Sequence, residues 1–108
     1  MTVNEFAEYF GYQVLCMPDP DREISGGYTG DLLSWVMGRL CEGDAWVTIM
    51  SNVNIVAVAT LADPSCIILS EGVSPEEGVV DRAMSQGVNM LRVSKTSFDV
   101  CADIKAKL

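Results

Sequence analysis

Gly26-Gly27-Tyr28-Thr29-Gly30-Asp31-Leu32-Leu33-Ser34-Trp35-Val36-Met37 is the stretch whose reading decides the fold. A glycine-rich segment, read as a loop, runs directly into apolar residues at helix spacing. Leu32, Leu33, Val36, Met37 and Leu40 mark one face of a helix over Asp31 to Cys41. Thr29 or Gly30 is placed to cap it, and Asp31 in its first turn suits the positive end of the helix dipole. Two more strand–loop–helix units follow, so several helix starts should line one rim of a parallel sheet.

Outward from this stretch the chain keeps the same rhythm. Val3, Phe6, Ala7 and Phe10 predict a short N-terminal helix that Gly11 stops. Tyr12 to Met17 reads as a strand, Pro18-Asp19-Pro20-Asp21 as a turn, and Glu23-Ile24-Ser25 as a brief extended piece. Ala45 to Met50 is a buried strand. Ser51-Asn52-Val53-Asn54 connects it to Ile55–Leu61, where alanine content favours a short buried helix that Asp63-Pro64 ends. Cys66 to Leu69 is another strand. Ser74-Pro75-Glu76-Glu77 has the form of a capping box opening a helix with Val79, Val80, Ala83 and Met84 on its buried face. Val88 to Val93 is the last strand, and Thr96-Ser97-Phe98-Asp99 opens a helix to about Lys107. The expected architecture is a small three-layer α/β/α domain. Its sheet is mostly parallel with four to five strands, and helices cover both faces. Residues 1–108 form one domain, with an N-terminal helix over 1–11 and a β–α core over 12–108.

Composition excludes several functions. The net charge is −8, and the seven basic residues are scattered. No nucleic-acid backbone or anionic membrane surface is expected as a partner. The N-terminus carries Glu5 and lacks a basic region, and no apolar run reaches bilayer length, so a cytoplasmic location is expected. The cysteines Cys16, Cys41, Cys66 and Cys101 form no CxxC pair, and histidine is absent. They read as reduced small hydrophobes, with no metal and no cofactor expected. Without histidine there is no Ser–His or Cys–His nucleophile pair, and no P-loop or GxGxxG is present. Trp35 and Trp46 read as core or interface and Met37, Met50, Met84 and Met90 as core packing, and no catalytic residue is assigned.

The candidate ligand-binding residues are Gly26, Gly27, Tyr28, Asp31, Asn52, Asn54, Glu71 and Gly72. The glycines allow backbone approach or positive φ. As a cradle they would offer N–H groups, though Asp31 would repel a phosphate there. Asp31 could instead accept hydrogen bonds from loop N–H groups or from a ribose-like hydroxyl. Asn52 and Asn54 could cap a helix or face a ligand. All lie where β–α loops should converge.

Gly26-Gly27-Tyr28-Thr29-Gly30-Asp31-Leu32-Leu33-Ser34, Gly43-Asp44-Ala45-Trp46-Val47-Thr48-Ile49, Asn52-Val53-Asn54-Ile55-Val56-Ala57-Val58-Ala59 and Ile67-Ile68-Leu69-Ser70-Glu71-Gly72 together resemble a stand-alone DRTGG domain, over about residues 12–108. That family is a small α/β domain, also found fused to CBS-domain pairs and phosphotransacetylases. Related folds form the non-catalytic N-terminal domain of HPr kinase/phosphorylases. The resemblance implies a regulatory or dimerising role. It aligns Asp31 with the family's Asp, places Leu32 where an Arg is expected, and puts Ser70-Glu71-Gly72 in place of Thr-Gly-Gly. Loss of the cation and gain of Glu71 disfavour an anion at this rim.

The resulting expectation is a non-catalytic regulatory or interaction domain, a homodimer, with a small ligand or protein partner at the C-terminal rim of the sheet. The alternative is a phosphoryl- or acyl-handling enzyme built around Arg92 and Lys95, the only basic pair at a predicted rim.

Overall fold

The computed structural model describes residues 1–108. Helix α1 (Val3–Phe10) starts on a capping box: Thr2 Oγ1 accepts the Glu5 N–H at 3.1 Å, and the Glu5 carboxylate accepts the Thr2 N–H at 2.9 Å. Gly11, at φ 73°, closes the helix in the left-handed conformation that lacks a Cβ penalty. The chain continues through β1 (Gln13–Cys16), β2 (Gly26–Thr29), α2 (Leu33–Arg39), β3 (Asp44–Thr48), α3 (Asn54–Ala62), β4 (Cys66–Leu69), α4 (Val79–Ser85), β5 (Met90–Arg92) and α5 (Ser97–Ala106).

The five strands lie in the order β1-β5-β4-β3-β2. β2 to β5 run parallel, and β1 pairs antiparallel with β5 through a bulge between Val14 and Cys16. Side-chain alternation sorts the core into two layers. Trp46, Ile67, Leu69 and Met90 meet α2, α3 and α4 on one face. Ala45, Val47, Cys66, Ile68 and Leu91 meet α1 and α5 on the other. Both faces of β3 and β4 are thus buried, which explains why these strands read as continuous apolar runs. The α/β/α expectation holds.

Four local readings are overturned. Gly26 to Thr29 is not a loop but an edge strand, registered from Gly26 opposite Asp44 to Thr29 opposite Val47. The ladder offered by β3 overrides the weak strand preference of glycine. Gly26, Gly27 and Gly30 do not adopt positive φ either. Close approach is their reason: a Cβ on Gly26 would lie 2.5 Å from Asp44 Oδ1, and one on Gly30 3.0 Å from the Tyr28 ring.

Helix α2 begins at Leu33 rather than Asp31, and neither Thr29 nor Gly30 caps it. Ser74-Pro75-Glu76-Glu77 forms no capping box. The Glu76 N–H donates to the Ser51 carbonyl at 2.9 Å, and α4 starts only after Gly78 at φ 85°. A tertiary hydrogen bond has displaced the local cap. Met37 and Met84, read as core packing, are exposed, and so is Trp35, which is therefore not core.

Between β1 and β2 the chain runs along the N-terminal rim of the parallel strands. Buried Asn89, just before β5, holds Asp19 at both main-chain groups: Oδ1 accepts its N–H at 2.9 Å and Nδ2 donates to its carbonyl at 2.7 Å. Arg22 then reaches Asp63 before β4 at 2.9 Å, and the Ser25 N–H reaches the Gly43 carbonyl before β3 at 3.0 Å.

Candidate functional site

At the C-terminal rim each β–α loop is tied to the next. Asp31, leaving β2, turns its carboxylate to the β3 loop, where Oδ1 accepts the Thr48 hydroxyl and the Ile49 N–H, both at 2.8 Å. This is the loop N–H role foreseen for Asp31. Asn52 Oδ1 accepts the Asn54 N–H at 2.9 Å, so Asn52 turns the chain into α3 and Asn54 stands exposed in its first turn. The β3 loop meets the β4 loop through the Glu76–Ser51 bond.

Glu71 sits at φ 59°, in the left-handed region that favours glycine. The resemblance expects a glycine of Thr-Gly-Gly at this point. Here Glu71 instead accepts the Ser97 N–H at 2.9 Å and caps α5, while buried Ser70 bonds the Ser97 hydroxyl at 2.6 Å. Gly72 donates its N–H to Val93 at 3.0 Å. Its carbonyl accepts Arg92 at 2.7 Å, and the Arg92 Nε donates to Val73 at 3.0 Å.

Arg92 and Lys95, the basic pair of the enzymatic alternative, are therefore both committed. Arg92 holds main-chain carbonyls. Lys95 donates to Asp103 Oδ2 at 2.7 Å, and the Tyr12 hydroxyl donates to the same oxygen at 2.8 Å. Burial, and then the Asp103 hydrogen bond and charge, hold the Tyr12 phenol protonated well above its ordinary range. This cluster pins β1 to α5 and presents no free base. Sequence reasoning missed Thr48, Ser70, Ser97, Tyr12 and Asp103. Each is an ordinary residue whose partner lies away from it along the chain.

Gly26, Gly27 and Tyr28 do not join this rim. β2 rises about 3.3 Å per residue, so Gly26 lies roughly 16 Å from Asp31 toward the other end of the sheet. These residues instead floor a cleft of about 440 Å³ along the outer edge of β2. Cys101, Ile104, Lys105 and Leu108 flank it on one side, and Arg39, Cys41 and Asp44 on the other. Asp44 Oδ2 accepts the Cys41 N–H at 2.8 Å. The Arg39 guanidinium lies 3.8 Å from the Trp35 ring centroid. The predicted site set is thus split between a rim and an edge.

The segment from Gly30 to Ala106, which carries the rim and α5, matches the family model described as the DRTGG domain over residues 30–106. The chain belongs to the DRTGG domain family. The DRTGG match begins after β2, later than the resemblance over 12–108 suggested, so the floor of the edge cleft lies outside it. Among solved structures the DRTGG chain is similar to the CBS and DRTGG domains of the regulatory region of Clostridium perfringens pyrophosphatase, a structure complexed with the activator diadenosine tetraphosphate. The TM-score is 0.71 at 14% identity, over 95% of this chain and 45% of that one. The likeness is one of fold, and the chain spans less than half the length of that neighbour. No curated protein matches it. No helix is long and apolar enough to cross a membrane.

Proposed function

We propose that this DRTGG domain is a non-catalytic regulatory domain that acts by contact, with its C-terminal rim as the face and a second copy of the chain as the partner. One observation carries the reading. Asp31, Asn52, Glu71 and Arg92 each bond a backbone group of the rim loops, while Leu32, Ile49, Val53 and Phe98 stand exposed there at 63%, 43%, 46% and 84%. Large apolar groups exposed at a rim favour a protein surface over a small polar ligand. Leu32, placed where the resemblance expects an arginine, moves the rim in that direction. The structural neighbour adds support, since there a DRTGG domain shares a regulatory region with CBS domains and that region is complexed with an activator.

Sedimentation of the full chain tests this. The wild type should sediment as a dimer at high micromolar concentration, and Leu32→Asp combined with Phe98→Asp should return it to a monomer with unchanged circular dichroism. A wild-type monomer at every concentration, or a dimer indifferent to both substitutions, overturns the contact face. Turnover of any phosphorylated substrate overturns the non-catalytic reading.

A further inference from the structure

We infer that the outer edge of β2 is a binding site for a nucleotide-class ligand, a flat heteroaromatic ring carrying phosphate. Its purpose rests on the regulatory reading above, but its evidence comes from different residues at a different place. β2 is the last strand of the sheet and pairs only with β3. The Gly30 N–H donates to the Val47 carbonyl at 3.1 Å, which sets the alternation of the ladder. That alternation turns the N–H and C=O groups of Gly27 and Thr29 away from β3. Both residues are exposed. Each therefore offers one donor and one acceptor side by side, the complement of the paired donor and acceptor on the edge of a nucleobase.

The surroundings suit the rest of such a ligand. The cleft, about 440 Å³, lies within the range of roughly 300–1,000 Å³ usual for small-ligand sites. Ile104, Cys101 and Leu108 give an apolar flank for a ring. Arg39 and Lys105 both line the cleft, and neither pairs with a carboxylate. The carboxylate of Asp44 is already bonded to the Cys41 N–H. Arg39 and Lys105 thus place two cations at the cleft on a chain of net charge −8. Stacking on Trp35 orients the Arg39 guanidinium, and only one of its N–H groups is engaged, with the Trp35 carbonyl at 3.4 Å. The glycine at 27 keeps the cleft open, because a Cβ there would already lie 3.1 Å from Ile104 Cγ2. An extended peptide is the weaker fit. β2 is four residues long, so strand addition would engage the main chain of Gly27 and Thr29 alone.

The test is a nitrogen-15 NMR titration of the full chain with adenosine diphosphate, adenosine alone, inorganic phosphate and an extended acidic peptide. The expected result is saturable shifts with adenosine diphosphate, concentrated on the amides of Gly27, Thr29 and Lys105. Adenosine alone should bind the same amides more weakly. Arg39→Gln and Lys105→Gln, both at exposed positions, should each weaken binding by about 5–10-fold, the loss of one charge-assisted contact. Gly27→Val should abolish it, with an unchanged spectrum elsewhere showing that the fold persists. No saturable shift with adenosine diphosphate, an equal response to phosphate alone, or a preference for the peptide overturns the site. Shifts confined to Ile49, Asn52 and Phe98 would overturn the edge site while leaving a regulatory domain with its ligand at the rim. A loss of the edge site alone leaves the sedimentation result for the rim untouched.

Discussion

The C-terminal rim and the β2 edge are joined by one short strand and are built on opposite terms. At the rim, Asp31, Asn52, Glu71 and Arg92 spend their hydrogen bonds on neighbouring loops and leave hydrocarbon outside. At the edge, glycines replace side chains at two of the four strand positions and the main chain of Gly27 and Thr29 is left outside. A rim loop must satisfy its own polar groups to hold several helix starts in place. An edge strand has half of its ladder unused by construction. The same stretch of small and polar residues therefore yields a finished surface at one end and an unfinished one at the other.

The sharpest way to break the two regions apart is at Trp46, which is fully buried and donates its indole N–H to the Gly30 carbonyl at 3.0 Å, between them. Trp46→Ala should cost about 3–5 kcal/mol in urea denaturation, by loss of core packing and of that bond. Both regions should loosen together in hydrogen exchange.

Asp31→Ala should cost about 1–2 kcal/mol, because it removes two hydrogen bonds to an ionised acceptor at an exposed site. Exchange at the Ile49 amide should quicken while the Tyr28 amide keeps its protection. Equal loss at both would mean that rim and edge form one cooperative unit.

Glu71 separates strain from capping. Glu71→Ala keeps the left-handed backbone and loses the added cap on the Ser97 N–H, while Thr96 still caps α5, a cost of about 1 kcal/mol. Glu71→Gly also loses the cap but relieves the strain of about 1 kcal/mol, so it should lie close to wild type. Thermal unfolding of the pair reads the difference.

The cysteines contrast edge with core. Exposed Cys41, on the edge cleft, should react first with a thiol reagent, and buried Cys66 only on unfolding. Burial pushes the Cys66 thiol up to about 12 from 9.0. Between those values the unfolded chain loses a proton that the folded chain keeps. Stability is therefore full below pH 9.0 and falls as pH rises through that window. Cys66→Ala should flatten the decline measured by alkaline denaturation.

Much of the element order was legible because it rests on local periodicity. Val3, Phe6 and Ala7 marked α1, and the apolar runs through Trp46 and Ile67 marked the central strands. The failures share one cause. Ser74-Pro75-Glu76-Glu77 is a sound local cap, yet Ser51 takes the Glu76 N–H. Gly26-Gly27 is a sound loop signal, yet β3 supplies a ladder. Nothing in the sequence pointed to the partners of Thr48 and Ser97, since Asp31, Ser70 and Glu71 are 17 to 27 residues away.

By itself the sequence determined the β–α rhythm, the two-sided burial of the central strands, the missing nucleophile pairs and the family resemblance, since all of these are written in spacing and residue type. Only the tertiary structure decided that Asp31 and Gly26 face different surroundings, that Glu71 caps a distant helix, and that β2 is an edge. Those outcomes depend on which hydrogen-bond partner arrives across space, and a chain's own spacing does not encode that arrival.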